Sequence, residues 1–83
     1  MEVTRLIKIT TSEDIYFAHI QIEETLSYDL LDTCMQCMMH FARIRADDPV
    51  HAEELLDALM NAGVIINWFI KHVTPEWDFE YTI

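Results

Sequence analysis

Cys34, Cys37 and His40 stand three residues apart in a C-x2-C-x2-H pattern, half of a familiar zinc-site spacing. Structural zinc needs four ligands in a closed tetrahedron, and such cysteine knuckles usually come from turns. Here the flanking residues continue a helical repeat. Cys34 and Cys37 can share one helical face that His40 only partly joins, and His51 would have to arrive from another element as the fourth ligand. Met35, Met38 and Met39 interleave with the thiols, and flexible thioethers of this kind fill cores. The expectation is therefore two buried thiols, with no metal and no other cofactor. A redox C-x2-C belongs at a helix start after a strand, where the thiolate is stabilised. A disulfide across one helical turn would close almost no loop.

Other constellations for catalysis are scattered. His19, His40, His51 and His72 fall in different segments, and none is joined to a G-x-S-x-G nucleophile signature. The single glycine, Gly63, cannot build a phosphate-cradling loop. Asp29 with Asp32, and Glu53 with Asp57, lie at the i,i+3 and i,i+4 spacings that share a helical face. Carboxylates so placed could hold magnesium or serve hydrolysis, but surfaces of this kind are normally solvated. No enzymatic activity is expected.

The arrangement of acids carries more information. Fifteen acidic residues oppose five basic ones, giving a net charge of -10 that is spread over both halves of the chain. Glu23, Glu24, Asp29 and Asp32 flank the start of one helical segment, and Asp47, Asp48, Glu53, Glu54 and Asp57 follow with no base among them. Like charges three or four apart on a helix are mildly destabilising, so folding alone is not expected to place them there. A field of this sign repels nucleic acid and anionic lipid and attracts basic surfaces. Helical carboxylates with Cβ atoms about 5–6 Å apart could occupy side chains that otherwise meet DNA phosphates, spaced about 3.4 Å per strand along the axis.

The elements that must position these groups follow from periodicity. Val3–Ile9 and Ile15–Ile22 alternate as two strands around the polar turn Thr11-Ser12-Glu13-Asp14, an antiparallel hairpin in which Leu6 beside Arg5 breaks the alternation. Leu26, Leu30, Cys34, Cys37, Phe41 and Ile44 then recur at three or four, predicting a helix over residues 28–45 capped by Ser27, with Asp29 in its first turn and Arg43 and Arg45 at its end. Asp48-Pro49 opens a second helix through Asn61. Gly63 either stops that helix in a left-handed conformation, leaving residues 64–73 as a strand, or is passed through at a cost of about 1 kcal/mol. The stop is favoured. Trp77, Phe79, Tyr81 and Ile83 alternate with Asp78, Glu80 and Thr82 as a last strand.

The expected fold is one α+β domain over residues 1–83, a two-layer sandwich with an antiparallel sheet and two helices on one face, in the order β-β-α-α-β with a further strand before the last if Gly63 ends the helix. An apolar fraction of 52% suits a folded chain. The aromatic crowding at Trp68, Trp77, Phe79 and Tyr81 suggests a self-association face. No run approaches the roughly 20 apolar residues of a membrane span, and no secretory leader is recognised, so a reducing cytoplasm is the expected setting.

The sequence as a whole predicts a small acidic binding protein, an inhibitor or decoy of the kind that phages and toxin–antidote systems employ. Asp29, Asp32, Asp47, Asp48, Glu53, Glu54 and Asp57 would meet a basic, nucleic-acid-binding partner. The competing expectation is a homo-oligomeric adaptor that binds through its aromatic C-terminal face.

Overall fold

The computed structural model describes residues 1–11, 14–41, 51–71 and 76–83. β1 (Glu2–Thr10) and β2 (Ile15–Glu23) pair antiparallel along their whole length, from Glu2 opposite Glu23 to Thr10 opposite Ile15. The hairpin is closed from its ends. The Thr11 N–H donates to the Asp14 carbonyl at 2.9 Å, and the Thr11 hydroxyl accepts the Asp14 N–H at 2.9 Å. β3 (Asn67–Lys71) adds antiparallel to the outside of β2, and β4 (Phe79–Thr82) adds parallel to the outside of β1, giving the order β3-β2-β1-β4. The two-layer α+β architecture is as expected, but the sheet is mixed. Its last strand runs beside β1 in the same direction.

Alternation along β1 and β2 decides which face is covered. Ile7 and Ile9 of β1 and Ala18, Ile20 and Ile22 of β2 are buried, and the register sets them side by side. α1 (Tyr28–Phe41) lays Leu31 and Met35 on this surface, while α2 (His51–Asn61) adds Ala52, Leu55, Leu56 and Leu59 at i, i+3, i+4 and i+7. Ile65 and Tyr81 complete the core. Leu6, which breaks the alternation in the sequence, points away from the helices. It belongs to the opposite face of the sheet, and Arg5 takes the helix-side position between Val3 and Ile7.

Ser27 caps α1, its hydroxyl accepting the Leu30 N–H at 3.1 Å. Arg43 and Arg45, expected at the end of α1, lie outside the described residues, as does the Asp48-Pro49 start proposed for α2. The end of α2 is a Schellman turn. Gly63 has φ +78°, its N–H donates to the Met60 carbonyl at 3.1 Å, and the Val64 N–H donates to the Leu59 carbonyl at 2.9 Å. Gly63 therefore does stop the helix.

The strand that follows starts later than expected, because Val64 is used by the cap and Ile65 is drawn into the core. Ile66 makes the first bond to the sheet, its N–H donating to the Gln21 carbonyl at 2.7 Å.

No heavy atom lies within 4 Å of a Cβ built on Gly63, so the cost of a side chain there is conformational alone. Gly63→Ala should destabilise the domain by about 1–2 kcal/mol, which thermal unfolding would read as a Tm lower by roughly 4–8 °C per kcal/mol in a chain of this size. Gly63→Asn should cost less, since asparagine tolerates the left-handed region.

Candidate functional site

Among the described residues the helices cover one face of the sheet and leave the other uncovered, and the candidate residues divide between the helix layer and the sheet. All the described partner-binding candidates sit on the helices. Asp29 is exposed in the first turn of α1, and Glu53 and Glu54 are exposed in the first turn of α2. Helix N-termini carry partial positive charge that favours acids there, by about 0.3–1 kcal/mol each at exposed sites. Asp32, one turn further along α1, is half-buried and accepts a hydrogen bond from Gln36 Nε2 at 2.7 Å. Asp57 is exposed and accepts the indole N–H of Trp68 at 3.0 Å. Asp47 and Asp48 lie outside the described residues.

Local structure thus contributes to the placement of each of these acids. It does not account for the missing cations. Neither α1 nor α2 carries a lysine or arginine, and among the described residues no base pairs with Asp29, Glu53 or Glu54.

The C-terminal aromatics do not form a single surface. Phe79 and Tyr81 of β4 stand opposite Ile7 and Ile9 on the helix side of the sheet. Phe79 stacks on Tyr28 with ring centroids 5.3 Å apart, and Tyr81 is only 7% exposed. Trp68 packs against the core from β3 and is tied to Asp57. Trp77 departs from the alternation expected of it. It precedes β4 and lies on the uncovered face, its ring 6.2 Å from that of Phe17 and 4.1 Å beneath the Lys8 ammonium.

Asp78 makes this reversal. Its N–H donates to the Leu6 carbonyl and its Oδ2 accepts the Leu6 N–H, both at 2.8 Å, so β4 is fixed to β1 from that residue onward.

The uncovered face was not singled out from the sequence. Its apolar members are Leu6, Ile15, Phe17, Phe69 and Trp77, with His19 edge-on to Phe69 at 5.2 Å. Ile15 and Phe69 are each 49% exposed and Trp77 41%. Lys8 of β1 pairs across to Glu80 of the edge strand β4 at 3.5 Å. The available signal was Leu6, whose departure from alternation marks a second apolar surface.

Cys34 is half-buried and Cys37 exposed, both as free thiols, so the expectation of two buried thiols holds in part for the first and not for the second. A helix turns about 100° per residue, and Cys37 falls beyond the stripe that Leu31 and Met35 bury. His40 is exposed and edge-on to Phe41. Among the described residues no three His, Cys, Asp or Glu side chains are grouped to hold a metal ion. No described helix is long and apolar enough to cross a membrane. No protein-family model, curated protein or solved structure matches this chain.

Two solution measurements follow. A thiol reagent should modify Cys37 in the native protein well before Cys34, with the difference lost in denaturant; equal native rates would contradict this placement. Burial, and secondarily the charge of Asp32, hold the Tyr81 phenol above its ordinary pKa. The folded state therefore keeps a proton that the unfolded state releases first. This contribution to stability is present below the unfolded value, near 10, relative to the protein at higher pH, and works in the folded protein's disfavour as pH rises through that value. Asp32→Asn should bring the Tyr81 titration, followed by ultraviolet absorbance, part of the way back.

Proposed function

We propose that this chain is a binding protein whose acidic helix layer occupies a basic, nucleic-acid-binding surface of a partner protein in a reducing cytoplasm. The observation that carries this reading is the composition of the layer. Asp29, Asp32, Glu53, Glu54 and Asp57 are spread over two helices whose described residues include no lysine or arginine. Glu53 and Asp57 are one turn apart, a Cβ separation of about 5–6 Å, and Asp57 is held in place by the Trp68 indole. Carboxylates fixed in this way lose little freedom on meeting a cation, which is the condition under which charge pairing contributes to affinity.

Asp57 also shapes the test, because removing it breaks a structural hydrogen bond. The variant to compare with the native protein is therefore Glu53→Gln with Glu54→Gln, which removes two charges from exposed positions and leaves the Trp68 contact intact. Candidate DNA- or RNA-binding proteins from the native host would be measured against both forms, with the partner's own nucleic acid as competitor. The double variant should keep its circular-dichroism spectrum and melting temperature, associate more slowly and bind several-fold more weakly. Added salt should weaken the native interaction, and nucleic acid should be released as the complex forms. A tightly bound partner that has no basic patch and releases no nucleic acid would overturn the proposal. Asp57→Asn serves as a separate probe: it keeps an acceptor for Trp68, whereas Asp57→Ala should cost about 1 kcal/mol of stability.

A further inference from the structure

The face of the sheet turned away from the helices has no element of the described chain packed over it as a layer, yet it is apolar at its centre. Leu6, Phe17, His19, Phe69 and Trp77 lie together there, with exposures near one half at Phe69 and Trp77. We propose that this face is the contact surface of a homodimer, two copies of the chain packing sheet against sheet with their acidic helix layers outward. The proposal does not depend on the function proposed above.

Charge argues for a second copy as the occupant. Each chain carries -10, so two copies repel one another, and least where acids are fewest. The described residues of the two helices hold five carboxylates and no lysine or arginine. On the outer face Lys8 of β1 and Glu80 of the neighbouring edge strand instead form a closed pair. Lys8 lies over Trp77 at 4.1 Å and beside Glu80 at 3.5 Å, and its side chain is already 17% exposed. Burying that pair leaves no charge without its partner, the condition that makes interfacial ions tolerable. A basic partner, by contrast, is drawn to the opposite layer.

The strand order supplies the geometry. Packed sheets keep their strands aligned within about 30° and lie about 10 Å apart. A two-fold axis parallel to the strands, in the order β3-β2-β1-β4, lays β2 of one copy over β1 of the other and β3 over β4. His19 then meets the Leu6 position across the interface, and the β4 edges, with Glu80, fall on opposite sides of the dimer, about 14 Å apart across three strand spacings. Four strands at about 4.8 Å, five residues long at β3 and longer in the hairpin, present roughly 450 Å² in plan before side-chain relief is added. A specific interface takes about 600–1,000 Å² of accessible surface from each partner. The face therefore suits a modest, reversible dimer, with the aromatic composition favoured at interface centres.

Sedimentation equilibrium of the native chain reads the mass directly, 9.8 kDa for a monomer and twice that, 19.6 kDa, for the dimer. The dimer should appear at high micromolar concentration and strengthen with added salt, because screening relieves the repulsion between two acidic copies. Binding to a basic partner weakens under the same change, so the failure of one proposal is distinguishable from the failure of the other. Phe69→Lys places a charge at an exposed position and should return the protein to 9.8 kDa with its circular dichroism intact.

Should that variant not fold, dilution of the native protein in an amide NMR experiment gives the same answer. Shifts confined to the outer face of the sheet, around Leu6, Phe17, His19, Phe69 and Trp77, support the proposal. A native chain that stays at 9.8 kDa at every concentration and salt overturns it. So does a dimer whose concentration-dependent shifts fall on α1 around Leu30, Cys37 and Phe41.

Discussion

A four-stranded sheet has two faces, and this chain supplies helices for one. The pairing of β1 with β2 enforces that division, because the nine-residue register sets Ile7 beside Ala18 and Leu6 beside His19. A slip of one residue would send the buried isoleucines to the open side and bring Lys8 and His19 under the helices. The hairpin is thus the reference surface of the domain. α1 and α2 find their places by covering its isoleucine face, β3 extends it from β2, and β4 completes it from β1.

The ends of that surface are held by polar contacts rather than by packing. Asp78 bonds Leu6 through both its backbone and its carboxylate, which fixes where β4 begins and sends Trp77 to the other side of the sheet. Gly63 does the same for β3. By turning the chain in a left-handed conformation it frees Ile65 for the core and lets Ile66 meet the Gln21 carbonyl. Two residues of short reach therefore decide how the second half of the chain joins a sheet begun in the first.

This explains what could be read from the sequence. The hairpin, the Ser27 cap, both helices and the stop at Gly63 depend on local spacing and local hydrogen bonds, and their signals lie within a few residues of where they act. The direction of β4 and the side taken by Trp77 depend on Leu6, more than seventy positions away, and no local pattern encodes that pairing. The perfect alternation from Trp77 to Ile83 even points the wrong way for its first member. Cys37 shows the corresponding limit on a helix. Its spacing from Cys34 was legible, but which of two apolar stripes meets the sheet is settled by what Leu31 and Met35 bury. Of the acids, the helical placement of Asp29, Asp32, Glu53, Glu54 and Asp57 was legible, and the anchoring of Asp57 by Trp68 was not.

That anchoring changes what the acidity can mean. Helix dipoles favour Asp29, Glu53 and Glu54 where they are, and neighbouring donors hold Asp32 and Asp57, so no described carboxylate needs a partner to justify its position. The functional question rests instead on the positions that hold no base. Lysine or arginine one turn beyond an acid would add about 0.2–0.5 kcal/mol per pair to a helix, and positions such as Thr33 and Asn61, four residues after Asp29 and Asp57, are exposed and would accept one. Stability alone would favour mixed charge on this layer. Described helix positions without a cation give up those small gains and retain a uniform field, which both keeps a chain soluble and attracts a positive surface.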